Sequence, residues 1–157
     1  MAVRNRFNSN FLCCRGLRCV AFGLALVAAA PLAARETPDF ILIANPLRPE
    51  SSLTREEASR IFLRKQRAWR SGDEAHPIDQ GAGSDIHDWF CRTVHQRPPE
   101  ALLQFWDQQV IYGRGWPPQT AQSDAEVVEY VARTPGAIGY VHASARLAGV
   151  KPLTLVD

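Results

Sequence analysis

The segment Ile78–Asp85 holds the residues that are best suited to bind a ligand. Its apolar start predicts the end of a strand, and Ser84 is a residue type that caps the start of a helix. The first amides of a helix lack partners within it, and together with the helix dipole they favour an anion. Gly81 and Gly83 would let a ligand approach the backbone, while Gln80 offers a side-chain amide. We therefore expect an anion site formed by Gln80, Gly81, Gly83, Ser84 and Asp85.

The same segment has a simpler interpretation as a plain connection between a strand and a helix. Ser84 would then act only as the cap of the helix, and the two glycines would only form the turn. Asp79 and Asp85 favour this interpretation, because both carboxylates would repel an anion unless they are turned away from it. Both interpretations remain open at the level of the sequence.

A second group of candidate residues comprises His87, Cys91 and His95. Their spacing of four residues would align them in a stripe on one helix, beside the apolar stripe, where they could be exposed. Two such side chains four residues apart can bind a metal ion. The sequence shows no clear carboxylate partner, and His95 falls near a helix break at Pro98. The alternative is that Cys91 is a small, buried apolar residue.

Nucleophilic catalysis receives no support from the sequence. The stretch Gly81–Asp85 does not follow the Gly-x-Ser-x-Gly pattern of a nucleophile elbow. Ser84, His87 and Asp88 lie too close together on one helix for their spacing to indicate a catalytic triad. We therefore predict that the chain is not an enzyme and needs no cofactor.

Basic residues are concentrated around the first predicted helix. They could attract an anionic ligand, or they could form a solvated helix face that nearby acidic residues balance. The basic residues are Arg55, Arg60, Arg64, Lys65, Arg67 and Arg70, and the acidic ones are Glu56, Glu57, Asp73 and Glu74.

The elements that must position these residues follow the predicted order β-α-β-α-α-α-β-β. Apolar runs predict strands at 40–44, 77–80, 137–141 and 150–156, with Pro152 placing the last strand near an edge. Capping patterns at Thr54 and Ser123, Ser84 and the Pro98-Pro99 pair predict the starts of four helices. This order predicts an α/β fold, with a small mixed sheet flanked by helices.

Residues 1–34 have the features of a secretory signal peptide. Four arginines and no acidic residue are followed by a run of 16 uncharged, mostly apolar residues, Cys19–Ala34. This run is shorter than the ~20 residues that a membrane-spanning helix needs. We expect cleavage before Arg35 and a mature domain, 35–157, that is periplasmic or secreted and not embedded in a membrane. The alternative is an uncleaved membrane anchor.

Cleavage would change the charge and the cysteine content of the protein. The chain of 157 residues has a net charge of +2 and four cysteines, whereas residues 35–157 carry 14 basic and 16 acidic side chains. Only Cys91 would remain, so no internal disulfide could form. A weakly acidic domain gives no support for nucleic-acid binding, which needs a basic footprint.

Four stretches of the mature chain resemble the periplasmic phosphate-binding proteins of ABC transporters. They are Ser52–Leu63, the tryptophan turn Trp69–Gly72, the loop Pro77–Ser84, and Thr134–Val141 with the sequence Thr-Pro-Gly-Ala-Ile-Gly-Tyr-Val. The resemblance implies one lobe of the type 2 periplasmic-binding-protein fold and a role in binding phosphate or another small oxyanion. An ABC permease or an envelope signalling protein is the partner that it implies.

The chain also departs from that family in two respects. Family members have two lobes and about twice this length, and Gln80 stands where their phosphate loop has an arginine. Glutamine cannot supply the planar charged fork with which arginine binds phosphate. Two functions therefore remain open: an oxyanion-binding protein, or a single-lobe envelope interaction or signalling module that has lost its ligand. A metal-binding protein is the third hypothesis.

Overall fold

The computed structural model describes residues 40–157, so the predicted signal peptide lies outside the described residues. Within this range, the chain forms six strands and four α-helices. They are β1 (Phe40–Ala44), β2 (Ser52–Thr54), α1 (Arg55–Phe62), β3 (His76–Gln80), α2 (Asp85–Phe90), α3 (Pro99–Ile111), β4 (Gln119–Ala121), α4 (Asp124–Arg133), β5 (Ala137–His142) and β6 (Lys151–Val156). A π-helical turn, Cys91–His95, continues α2.

The strands form one mixed sheet in the order β2-β6-β1-β5-β3-β4. Strand β1 is antiparallel to β5 and β6, whereas β3 is parallel to both β4 and β5. Helices flank this sheet, which confirms the predicted fold class. The three-residue strands β2 and β4 were not predicted, because so short a segment shows no alternation of apolar and polar residues.

The last strand lies near an edge of the sheet, as predicted, with only the short strand β2 outside it. Strand β2 pairs only with Thr154–Val156, beyond Pro152, while Pro152 itself pairs on the other side with Ile43 of β1. The missing N–H of Pro152 is tolerated because no strand pairs with this part of β6 on the side of β2.

Two separate clusters of apolar side chains pack on the sheet. The larger one contains Phe62 of α1 and Phe90 of α2, which meet Tyr140 of β5. The smaller one contains Val127 and Val131 of α4. Strand β1 contributes side chains to both clusters, since its successive side chains point to opposite faces of the sheet. The domain therefore has three layers, with helices on both faces of a sheet that is buried on both sides.

The sequence signals for helix starts correspond to real caps. The Thr54 side chain accepts a hydrogen bond from the Glu57 amide while the Glu57 carboxylate accepts one from the Thr54 amide, which is a complete capping box. Ser123 caps α4 through its side chain, but the Glu126 carboxylate instead accepts from the amide of Gln122. The second predicted capping box is therefore only half formed.

Three parallel strands and two helix starts meet at one edge of the sheet. Gln80, Ala121 and His142 end β3, β4 and β5, and their carboxyl ends point the same way. Helices α2 and α4 begin just after β3 and β4. This edge is where ligands bind in many open α/β sheets. No helix among residues 40–157 is long and apolar enough to cross a membrane.

Candidate functional site

The predicted ligand loop is a tight turn between β3 and α2. The Ser84 amide donates to the Gly81 carbonyl at 3.2 Å, which closes the turn. Gly83 has φ +91°, a backbone conformation that only glycine adopts without strain. The Ser84 hydroxyl donates to the Gly81 carbonyl at 3.0 Å and accepts from the His87 amide at 3.3 Å. Ser84 thus caps α2, as predicted, and its hydroxyl proton is already engaged.

Three backbone amides of this loop remain available as donors. Within the part of the chain that the structure describes, the N–H groups of Ala82, Gly83 and Asp85 have no hydrogen-bond partner. The next amide, that of Ile86, donates to the Asp85 carboxylate at 2.9 Å. All three residues with a free amide are exposed, and Gly83 and Asp85 are the two among the predicted site residues. The loop therefore offers three donors to a ligand, but one carboxylate lies beside them.

The Gln80 side chain is turned into the protein. Its amide donates to the Asp124 carboxylate at 2.7 Å and to the Tyr140 carbonyl at 3.2 Å. Both amide hydrogens are therefore used by β5 and the start of α4. In this arrangement the Gln80 side chain links the end of β3 to α4 and β5, and it offers no side-chain N–H to a ligand.

His142 lies beside the loop and was not among the predicted site residues. It ends β5, with Nδ1 2.8 Å from an oxygen of Asp124 and Nε2 3.4 Å from an oxygen of Asp85. Its hydrogen bond with Asp124 is the main reason why the pKa of His142 is raised above its usual value, and Asp85 adds to the effect. The one local signal was its position directly after the predicted strand at 137–141.

Asp79 does not face the loop, which removes one of the two objections to an anion there. Its buried carboxylate accepts from the Tyr140 hydroxyl, from the Gln80 amide at 2.8 Å, and from His87 Nδ1 at 3.3 Å. The hydrogen bond with Asp79 raises the pKa of His87 from 6.5 to about 10. The negative charge of Asp79 is thus matched by an imidazolium inside the protein.

The stripe of His87, Cys91 and His95 is not exposed, because all three side chains are buried, and the alternative of a buried Cys91 is confirmed. Cys91 Sγ lies 3.4 Å from His87 Nε2, whereas His95 Nδ1 is 2.9 Å from the Ser59 hydroxyl. The π-helical turn that starts at Cys91 changes the spacing, so His95 does not stack above it. Burial lowers the pKa of His95 to about 4. Residues 40–157 contain no group of three or more His, Cys, Asp or Glu that could hold a metal.

The fold resembles that of several solved phosphate-transport proteins. A phosphate-bound structure from Clostridium perfringens, assigned to the phosphate ABC transporter substrate-binding proteins, is 19% identical with a TM-score of 0.60. An ABC-type phosphate transport receptor from Vibrio cholerae is 13% identical with a TM-score of 0.57, and PstS from Borrelia burgdorferi is 15% identical with a TM-score of 0.53. At these identities the likeness is one of fold. No protein-family model and no curated protein matches the chain.

The chain spans less than half the length of these structures. The alignments cover 74%, 74% and 76% of this chain but only 44%, 46% and 47% of the Clostridium, Vibrio and Borrelia proteins, respectively. The likeness in fold therefore concerns a part of each of those proteins.

Proposed function

We propose that the mature protein is a non-enzymatic solute-binding protein of the cell envelope that takes phosphate or another small oxyanion. The observation that carries the proposal is the set of unpartnered amides, Ala82, Gly83 and Asp85, at the carboxyl edge of β3 beside His142. The fold of the phosphate-transport proteins supports the same class of ligand. An ABC permease is the partner that this proposal implies.

The loop amides would donate to the oxyanion while Ser84 and Gln80 hold the loop in shape. Helix α2 adds its N-terminal dipole, and a protonated His142 side chain would add a positive charge. Two carboxylates work against this attraction, because Asp124 lies 2.8 Å and Asp85 lies 3.4 Å from His142. No arginine fork is present at Gln80, so we expect weak binding, with a Kd on the order of 1 mM.

Calorimetric titration with phosphate and with sulfate tests the proposal directly. We expect binding heat at millimolar phosphate, and its absence for both anions would reject an oxyanion site. His142→Gln should weaken binding about threefold to tenfold, since it removes a side chain beside the loop that is positively charged when protonated. His76→Gln is the matched control, because His76 begins β3 at the opposite edge of the sheet.

Replacement of Asp85, whose carboxylate repels an anion at the loop, gives a second test in which phosphate affinity should rise. Asp85→Asn removes a negative charge next to the donor amides and should tighten phosphate binding about threefold to tenfold. An unchanged or weaker affinity would mean that the anion does not bind at this loop. Asp88→Asn is the control, since it removes one carboxylate from the same helix at a half-buried position one turn away.

The envelope location is a separate part of the proposal and has its own test. We expect the protein in the periplasmic fraction to begin near Arg35, as N-terminal sequencing would show. A chain that keeps residues 1–34 would contradict the signal peptide without affecting the anion site.

A further inference from the structure

Six basic side chains on one surface have no salt bridge within residues 40–157. Two of the acidic residues that could balance this group are paired elsewhere: Glu57 binds Arg70 at 2.6 Å, and Asp73 binds Arg48 at 2.6 Å. Within the same range, Glu56 and Glu74 form no salt bridge with any of the six. The six unpaired residues are Arg60, Arg64, Lys65, Arg67, Arg97 and Arg114. Of the basic residues around the first helix, Arg55 and Arg70 are paired, whereas the others are not, so a local excess of positive charge remains.

Four of these cations line a groove of about 450 Å³ between the end of α1 and the segment after α3. The wall also contains aromatic side chains, and no carboxylate lines it. We call it the basic-aromatic groove; its charged and aromatic residues are Arg64, Lys65, Arg67, Arg114, Phe105, Trp106 and Trp116.

A second groove of about 840 Å³ adjoins the first one and shares Leu63 and Lys65 with it. Arg60 and Arg97 line this second groove, together with two acidic residues, Glu56 and Asp157. The two grooves together form a path that a short extended segment of chain could follow.

The aromatic surface around the groove is poorly covered by the rest of the domain. Trp116 is 73% exposed and Ile111 is 77% exposed, while Leu102 is the buried residue of α3. The Lys65 ammonium lies 5.4 Å from the Phe105 ring, and the Arg114 guanidinium lies 5.1 Å from the Tyr112 ring. Cations placed over aromatic rings present charge and apolar area together.

We propose that the basic-aromatic groove is the docking site for an acidic segment of a partner protein that carries an aromatic or aliphatic side chain. The positive, carboxylate-free wall is complementary to aspartate and glutamate, and a concave site with Trp116 and Trp106 can receive one apolar anchor. Tryptophan and arginine are the residues that contribute most at protein interfaces. A flat anionic membrane surface would not fill a concave groove.

This docking site is independent of the proposed anion site. It is lined by residues that follow α1, by α3 and by the segment after α3, and it shares no residue with the Gly81–Asp85 loop or with His142. Failure of phosphate binding therefore leaves the docking proposal untouched, and the reverse is also true.

Selection of displayed random 12-residue peptides on the purified protein tests the proposal without a known partner. We expect enriched sequences to carry two or more Asp or Glu residues within a few positions of Trp, Phe or Leu. A synthetic peptide of the enriched sequence would then be measured by fluorescence anisotropy. Enrichment of neutral or basic sequences, or no enrichment, would overturn the proposal.

Charge reversal locates the binding surface. The variant Arg67→Glu with Arg114→Glu should weaken peptide binding at least tenfold, because both residues are exposed and line the groove. The variant Arg133→Glu with Arg146→Glu makes the same change in net charge elsewhere and should alter affinity less than twofold. Equal losses in the two variants would show that net charge, and not the groove, attracts the peptide.

The apolar anchor has its own pair of variants. Trp116→Ala should weaken binding at least fivefold, whereas Leu47→Ala, which removes an exposed side chain in the connection between β1 and β2, should not. Sedimentation with vesicles containing anionic phospholipid tests the rival surface. Vesicle binding that Arg67→Glu with Arg114→Glu abolishes, without any peptide binding, would mean that the groove meets a membrane.

Discussion

Asp79, His87 and Tyr140 form a hydrogen-bonded group inside the larger apolar cluster. The Asp79 carboxylate accepts from both of the other side chains, and Phe90 stacks on the Tyr140 ring at 3.9 Å. Burial, followed by the charge of Asp79, raises the pKa of Tyr140 above its usual value, so its hydroxyl stays a donor. The group joins β3, α2 and β5, which are the elements that position the loop.

We predict that His87→Gln lowers the free energy of unfolding by about 3 kcal/mol at pH 6, because a buried carboxylate loses its cation. His87 has its pKa raised to about 10 in the folded state against 6.5 in the unfolded state. Its contribution is therefore complete below pH 6.5 and is lost as pH rises through about 10. Urea unfolding should show that the difference in free energy of unfolding between the unaltered protein and His87→Gln is large at pH 6 and small at pH 10.

The control for this prediction is His76→Gln, which changes a half-exposed histidine whose nearest carboxylate oxygen is 4.0 Å away. We expect a change within about 0.5 kcal/mol at either pH. An ion pair with Asp79 would be contradicted if the unaltered protein and His87→Gln differed in free energy of unfolding by the same amount at both pH values.

Helix α4 packs so closely on β5 that one position of the strand has no room for a side chain. A Cβ atom at Gly139 would lie 2.5 Å from Val127 Cγ1 and 3.0 Å from Ile78 Cγ2. Both neighbours belong to the smaller apolar cluster, so neither can move without disturbing other side chains. Gly139 therefore sets the distance between the helix and the sheet.

Gly139→Ala should lower the free energy of unfolding by about 2 kcal/mol through overpacking, as measured by urea unfolding. Gly115→Ala is the control, since a Cβ atom there has no neighbour within 4 Å. We expect that variant to change stability by less than about 0.5 kcal/mol. Equal effects at the two positions would mean that α4 can move away from β5 at little cost.

At the scale of the whole molecule, residues 40–157 contain both apolar clusters and the complete sheet. A chain of residues 35–157 should therefore unfold in one cooperative transition. Cys91 would be its one cysteine, and the side chain is fully buried. We predict that a thiol reagent labels Cys91 only as fast as the domain unfolds, with complete labelling in denaturant.

Thiol labelling and intrinsic tryptophan fluorescence, to which the buried Trp69 contributes, should report the same transition. Trp69 is 3% exposed, and its indole N–H donates to the Gly136 carbonyl at 2.8 Å across 67 residues of chain. Labelling of Cys91 in the native state, before the fluorescence changes, would show that α2 and its π-helical turn open independently of the sheet.

Most of the fold could be predicted because its signals are local. The apolar runs at β1, β3, β5 and β6 and the capping residues Thr54, Ser84 and Ser123 act over a few residues. Strands β2 and β4 were missed because three residues show no periodicity, and they form only where a longer strand offers an edge.

The candidate site could be predicted only in part. The loop between β3 and α2 followed from its glycines and from Ser84, and its role as an anion site stays a prediction. His142 was missed because its partner Asp124 lies 18 residues away in the sequence. The direction of the Gln80 side chain also depends on Asp124, which lies 44 residues beyond it.

By itself, the sequence determined the α/β class, the order of its long elements, the turn at Gly81–Ser84 and the caps. These depend on backbone geometry and on apolar spacing within a few residues. Only the tertiary structure decided that Asp79 is neutralised by His87, that His87, Cys91 and His95 are buried, and that unpaired cations converge on an aromatic groove. Charge pairing and burial depend on which distant segments meet, and spacing along the chain does not encode those contacts.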